Sequence, residues 1–301
     1  MSTASIWRGV IPAITTPFGS DGQVDHAWLA RHARVLIDAG CRGIVPLGSL
    51  GEAATLSFAE KLAILETLVQ ALAGRAPVIP GIAALSTDEA VRLAREAERI
   101  GAAGLMVLPP YVYSTDSREM GAHVSAVIGA TPLPCMLYNN PVAYKTDFTA
   151  AQIAQFAAQF PNLAAVKESS ADLRRFAAIQ TLVGDRLELL VGMDDAIVEG
   201  LAMGAVGWIA GLVNAYPQES VRLFDLAESG GPSAAAALYS WFLPLLRLDT
   251  VPKFVQLIKL AQEVVGLGSE RVRAPRLVLD GAERAAALEV IAAANATRPA
   301  R

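Results

Sequence analysis

The chain has 301 residues, 53% hydrophobic and 18% charged, with a formal net charge of −4 at pH 7. This excludes intrinsic disorder and allows one large core. The mild acidity without a basic cluster gives no electrostatic footprint for nucleic acid or an anionic membrane.

In chain order, residues 1–9 lack the apolar core of a signal peptide, so a cytoplasmic location is expected. Short apolar runs at about 10–15, 43–47, 78–80, 104–108, 135–138, 163–167, 187–191 and 206–210 read as strands. Amphipathic segments lie between them, and Ser57 with Glu60, Ser86 with Glu89 and Thr149 with Gln152 have the spacing of capping boxes. Three joints repeat one pattern: Gly40 with Gly43, Gly101 with Gly104 and Gly204 with Gly207 each close a helix and open an apolar strand three residues on.

Eight strands alternating with helices predict a (β/α)8 TIM barrel, α/β in class, over residues 7–229. An open doubly wound sheet would carry a dinucleotide fingerprint after its first strand, and none is present. Beyond Pro217 the pattern is helical only, with Leu238, Trp241, Phe242 and Leu245 on one face and Val251, Phe254, Val255, Ile258 and Ala261 on the next. Residues 230–301 are therefore expected to pack on the barrel as a C-terminal helical region. The apolar run at 200–216 is broken by glycines and does not suit a membrane span. Cys41 and Cys135 lie in apolar runs and read as small buried hydrophobes.

In such barrels the chemistry lies where strands end, so the strand-closing residues are the candidates. Lys167 closes the apolar run that begins at Leu163. A lysine at the mouth of an apolar core is paired, here with Glu168 as the nearest acid, or snorkels outwards, or is tuned to be a nucleophile. Tyr138 closes the preceding strand, and neighbouring strands lie about 5 Å apart, so the two side chains can meet. The tyrosine is either a proton carrier or a core aromatic with a satisfied hydroxyl. Gly48-Ser49-Leu50-Gly51-Glu52 offers backbone amides for a carboxylate, or is an ordinary turn. After strand seven, Gly192 leads to Asp194 and Asp195, which bind substrate hydroxyls or cap a helix. After strand eight, Gly211 and Leu212 leave room for a ligand or allow close packing. His26, His32 and His123 show no ligand spacing, so no metal site is expected, and no phosphate loop is present.

These segments resemble the dihydrodipicolinate synthase and N-acetylneuraminate lyase superfamily of lysine-dependent class I aldolases. The likeness is carried by Gly9-Val-Ile-Pro-Ala-Ile-Thr-Thr-Pro-Phe18, the 48–52 loop, Tyr138-Asn139, Val166-Lys167-Glu168-Ser169-Ser170 and the Gly192 loop. It implies a Schiff base on Lys167 with a small 2-oxo or cyclic 2-imino acid, proton relay by Tyr138, and carboxylate capture around Ser49 and Leu50. Gly192, Asp194 and Gly211 are the further substrate-binding candidates. No cofactor and no metal are implied, and a homo-oligomer, dimer or tetramer, is.

The synthase branch usually has two threonines where this chain has Ser49 and Leu50, and an arginine where it has Ala143 followed by Tyr144. The neuraminate lyases have hydroxyl residues at the positions of Gly211 and Leu212. A smaller substrate is indicated. Val112-Tyr-Ser114, Leu137-Tyr-Asn-Asn-Pro141, Tyr144-Lys145, Lys167 to Ser170 with Arg174-Arg-Phe176, Gly192 to Asp195 with Gly207-Trp208, and Trp241-Phe-Leu-Pro-Leu-Leu246 are similar to the bacterial 1-pyrroline-4-hydroxy-2-carboxylate deaminases. The alternatives are an aldolase for 4-hydroxy-2-oxoglutarate or a 2-keto-3-deoxy acid, and a 4-hydroxy-tetrahydrodipicolinate synthase. A rival of another class is a catalytically silent barrel serving as a sensor or scaffold. Whether Tyr111 or Tyr113 belongs to the site stays open.

Overall fold

The three glycine joints behave as their spacing predicts. Gly40, Gly101 and Gly204 all hold left-handed backbone, with φ of 108°, 103° and 93°. Three residues on, a Cβ at Gly104 would lie 2.9 Å from the Pro134 carbonyl oxygen, and one at Gly207 would overlap that of Trp7. The first glycine turns the chain out of a helix, and the second lets it pass close to a neighbouring backbone.

The computed structural model describes residues 5–110 and 116–299. The strands are β1 Gly9–Pro12, β2 Gly81–Ile82, β3 Leu105–Val107, β4 Cys135–Asn139, β5 Leu163–Glu168, β6 Glu188–Val191 and β7 Gly207–Ala210. They form one curled parallel sheet in the order β1-β7-β6-β5-β4-β3-β2. Leu105, Cys135, Leu137, Leu163, Val166, Leu190 and Trp208 are fully buried, as a parallel sheet covered by helices requires.

Two expected strands are shifted or irregular. Residues 43–47 make only isolated parallel bridges, Val45 to Ala13 and Ile44 to Val78. Pro46 has no N–H to donate and Leu47 sits at φ 61°, so a regular ladder cannot run through them. Hydrogen bonds still reach both sides: Val45 N donates to Pro12 O at 2.8 Å, and Ile79 N donates to Ile44 O at 2.8 Å. The strand expected at 78–80 lies instead at Gly81–Ile82, beyond Pro80.

The caps are real. Ser57 with Glu60 and Thr149 with Gln152 form reciprocal capping boxes, and Ser86 accepts from the Glu89 amide. After β7 come helices Pro217–Leu246, bent at Gly231, Phe254–Val264 and Gly281–Ala296. Val251 is exposed and precedes the second of these helices rather than joining its buried face. Cys41 and Cys135 are buried and free, and burial pushes both thiols up to about 12. No helix among the described residues is long and apolar enough to cross a membrane.

Candidate active site

Lys167 lies at the carboxyl end of β5, in register with Tyr138 of β4 and Leu190 of β6. Its ammonium stands 3.9 Å from the centroid of the Tyr138 ring, and the residue is 6% exposed. Among the described residues it has no ion pair or hydrogen bond. Glu168 is not its partner, because alternate residues of a strand point to opposite faces. The Glu168 carboxylate instead accepts from Asn139 Nδ2 at 3.0 Å and from the Ser170 amide at 2.7 Å. Burial raises its pKa.

Asn139 and Arg175 shape the next loop. Asn139 accepts from the Phe148 amide at 3.0 Å, and Arg175 pairs with Asp147 at 2.6 Å. The short helix Pro141–Tyr144 is capped by Asn140, whose Nδ2 also donates to the Tyr138 hydroxyl at 2.9 Å. A phenol that accepts in this way keeps its own O–H to donate. The turn brings Tyr144 edge-on to Tyr138, with ring centroids 5.6 Å apart, and its hydroxyl bonds the Ser49 hydroxyl. Ser49, Tyr144, Tyr138 and Lys167 therefore form one contiguous group. Sequence reasoning noted Tyr144 beside the missing arginine and within the deaminase-like segment Tyr144-Lys145, without placing it at the site.

The 48–52 loop holds Ser49 half-buried and Leu50 buried at the same mouth. Glu52, at φ 54°, turns back into the protein, where Lys259 Nζ and the Arg273 amide donate to it. Lys259 is 1% exposed, and burial lowers its pKa to about 8. A cation from the C-terminal helix Phe254–Val264 thus fastens the loop from behind.

Gly192 follows β6 directly under the lysine. A Cβ there would overlap Ser169 Oγ and lie 2.6 Å from Lys167 Cε. Ser169 is fully buried, and its hydroxyl has no partner among the described residues. Two residues after Gly192, the Asp194 carboxylate is buried and receives Trp208 Nε1 at 2.8 Å, the Gly211 amide at 3.1 Å and the Leu212 amide at 2.7 Å. Burial pushes its pKa up to about 6, against the pull of those donors and of Lys167.

The room that Gly211 provides is taken by another side chain of this chain. A Cβ at Gly211 would overlap the carboxylate of Asp249, in the turn Arg247–Asp249 that follows the bent helix. Asp249 Oδ1 is sealed from solvent and accepts no hydrogen bond from any described residue. Burial, then the charge of Asp194, raises the pKa of this group well above the usual carboxylate range. The wall expected to be sparsely polar at Gly211 and Leu212 therefore carries two buried carboxyl groups. Asp249 and Ser169 were not singled out from sequence, and the only signal for Asp249 was a charged turn between two apolar helices. Tyr111, Tyr113 and the 112–114 segment lie outside the described residues.

Lys145 Nζ donates to the Val142 carbonyl at 3.0 Å, on its own short helix. Polar groups converging around Lys167 are hydroxyls and carboxyls, a set suited to moving protons at a carbon next to an imine.

An amine held over a tyrosine at the carboxyl edge of a curled parallel sheet defines a class, the Schiff-base-forming lyases. Within that class the chain belongs to the Dihydrodipicolinate synthetase family, whose profile matches residues 6–294. It is 31% identical over 280 residues to a 4-hydroxy-tetrahydrodipicolinate synthase of Pelobacter propionicus, covering 93% of this chain and 96% of that one. A protein of the same name from Sorangium cellulosum is 34% identical over 294 residues, covering 97% of each. Among solved structures, a dihydrodipicolinate synthase from Aquifex aeolicus superposes with a TM-score of 0.91 at 28% identity, covering 96% of this chain and 98% of that one. A prophage protein of the dihydrodipicolinic acid synthase family from E. coli K12, in complex with pyruvate, gives 0.90 at 28% identity, covering 97% and 99%.

Proposed function

We propose that this enzyme deaminates 1-pyrroline-4-hydroxy-2-carboxylate, using water, to 2,5-dioxopentanoate and ammonia, with Lys167 as the Schiff-base residue. The observation that carries the reading is the pair of buried carboxyl groups near the lysine, neither of them paired with a cation among the described residues. Asp194 and Asp249 stand there, and Lys145, the cation that follows Tyr144, donates to the Val142 carbonyl of its own helix. A dicarboxylate such as 4-hydroxy-2-oxoglutarate would bring its second carboxylate to a wall where neither acid is paired with a cation among the described residues. The pyrroline has one carboxylate, and on ring opening its far end becomes an amine.

Lys167 attacks the ring imine carbon, and exchange of the imine onto the lysine opens the ring and frees the substrate nitrogen as an amine. Tyr138, whose hydroxyl accepts from Asn140, carries the proton from the adjacent carbon. The resulting enamine expels the 4-hydroxyl as water. Tautomerisation converts the amine-bearing carbon to an imine, whose hydrolysis releases ammonia, and a second water frees Lys167 from the product. One water is lost and two are consumed, so the sum is one water in and one ammonia out. The substrate carboxylate takes the amides and hydroxyl around Ser49 and Leu50, while Gly192, Asp194 and Gly211 form the opposite wall.

The same reading treats residues 7–229 as a closed eight-stranded barrel, supported by the hydrogen bonds from 43–47 to both neighbours, with 230–301 packed on it. It includes a cytoplasmic homo-oligomer, dimer or tetramer, supported by the family likeness.

The test is a substrate panel with an ammonia assay. Ammonia and semialdehyde should appear together from the hydroxypyrroline carboxylate and vanish in Lys167→Ala, and borohydride with pyruvate should trap an adduct on Lys167. Faster release of pyruvate and glyoxylate from 4-hydroxy-2-oxoglutarate would transfer the assignment to an aldolase.

A further inference from the structure

We propose that Asp249 is the general acid that protonates the departing 4-hydroxyl of the substrate. The inference rests on the deaminase reading above and names a residue that it leaves unused. Its geometry is a short path from the lysine: Lys167 Cε packs over Gly192, Asp194 stands two residues further along the chain and accepts the Gly211 amide, and the Asp249 carboxylate fills the space a Cβ of Gly211 would take. Asp194 has its three donors and no need of another group. Asp249 Oδ1 has none, although it is sealed from solvent. An orphaned carboxyl oxygen in a buried wall costs stability and persists where a ligand supplies the partner.

The charges that act on Asp249 are Asp194, Asp195 and Lys167. Burial, then the charge of Asp194, raises the pKa of this carboxyl well above the usual range against the pull of Lys167, which favours its protonated form. A neutral carboxyl is a donor, and the elimination needs one. The enamine pushes its electron pair into a new C3–C4 double bond, the C4–O bond breaks towards oxygen, and the Asp249 proton joins that oxygen to make water. Asp249 is left as the carboxylate and regains a proton from solvent before the next turnover.

The assignment is tested with Asp249→Asn on two substrates, the 4-hydroxy compound and its 4-chloro analogue, whose chloride leaves without protonation. The expected result is a loss in kcat on the order of 10²–10⁴-fold with the hydroxyl substrate, less than tenfold with the chloro substrate, and unaltered trapping of pyruvate on Lys167 by borohydride. Equal losses on both substrates would overturn the acid role in favour of mere positioning, and so would an undiminished rate with the hydroxyl substrate. Should the asparagine variant fail to trap pyruvate, Asp249→Ser serves the same comparison. A wild-type enzyme that releases no ammonia overturns the deaminase reading and this inference with it, whereas an active wild type beside an equally active variant overturns this inference alone.

Discussion

Lys167 and Lys259 are both buried, at 6% and 1% exposure, and both hold the ammonium over an aromatic ring, Tyr138 at 3.9 Å and Phe18 at 4.5 Å. Among the described residues only one is bonded to an anion. Lys259 donates to Glu52 and, at 2.7 Å, to the Arg271 carbonyl. Lys167 has neither kind of partner among the described residues. A buried ammonium with a carboxylate and a carbonyl is a fastening, since removing any member strands the others. One that has only a ring beneath it is available to a substrate carbon. Burial alone therefore does not mark a reactive lysine, and the absence of a partner does.

The comparison breaks first at Lys167. Lys167→Met should lower turnover by at least about 10⁴-fold, the scale for loss of a covalent nucleophile, while urea unfolding shows little change because no bonded group is stranded. A stability loss of several kcal/mol in that variant would reveal a structural partner and erase the contrast. Lys259→Met should do the reverse, costing about 3–5 kcal/mol in urea unfolding by leaving the buried Glu52 with only the longer cation contact to Arg276 at 3.8 Å. Adding Glu52→Gln should recover most of the loss, and failure of the double variant to recover would show that the pair is not the fastening.

A smaller effect sharpens the Lys167 side. Gly192→Ala places a methyl 2.6 Å from Lys167 Cε, and displacing the amine should lower kcat about 10²-fold with slower borohydride trapping. The smallest effect concerns the acids opposite the lysine. Asp194 and Asp249 both have folded-state pKa values raised above the unfolded ones, so each binds its proton more tightly when folded. Their penalty is absent at low pH and grows as pH climbs from the unfolded carboxyl range through about 6 for Asp194. Asp249→Asn removes one of the two acids, so its thermal midpoint relative to wild type should rise between pH 4 and pH 8. A difference independent of pH would mean that folding does not raise the pKa of Asp249.

Glycine spacing, capping residues and apolar runs gave the architecture from the chain alone, because each reports a local backbone requirement that neighbouring residues satisfy. Gly101 with Gly104 and Thr149 with Gln152 needed no tertiary information. The same local logic put Lys167 beside Tyr138, since strand ends in one parallel sheet lie in fixed register. It misplaced residues 78–80 and overstated the regularity of 43–47, where prolines interrupt the ladder inside apolar runs. Tertiary structure alone decided which lysine is paired, that Tyr144 meets Ser49, and that Asp249 fills the space over Gly211. Those contacts join segments 207, 95 and 38 residues apart, and periodicity along a chain records which face of an element is buried, not which distant side chain arrives there.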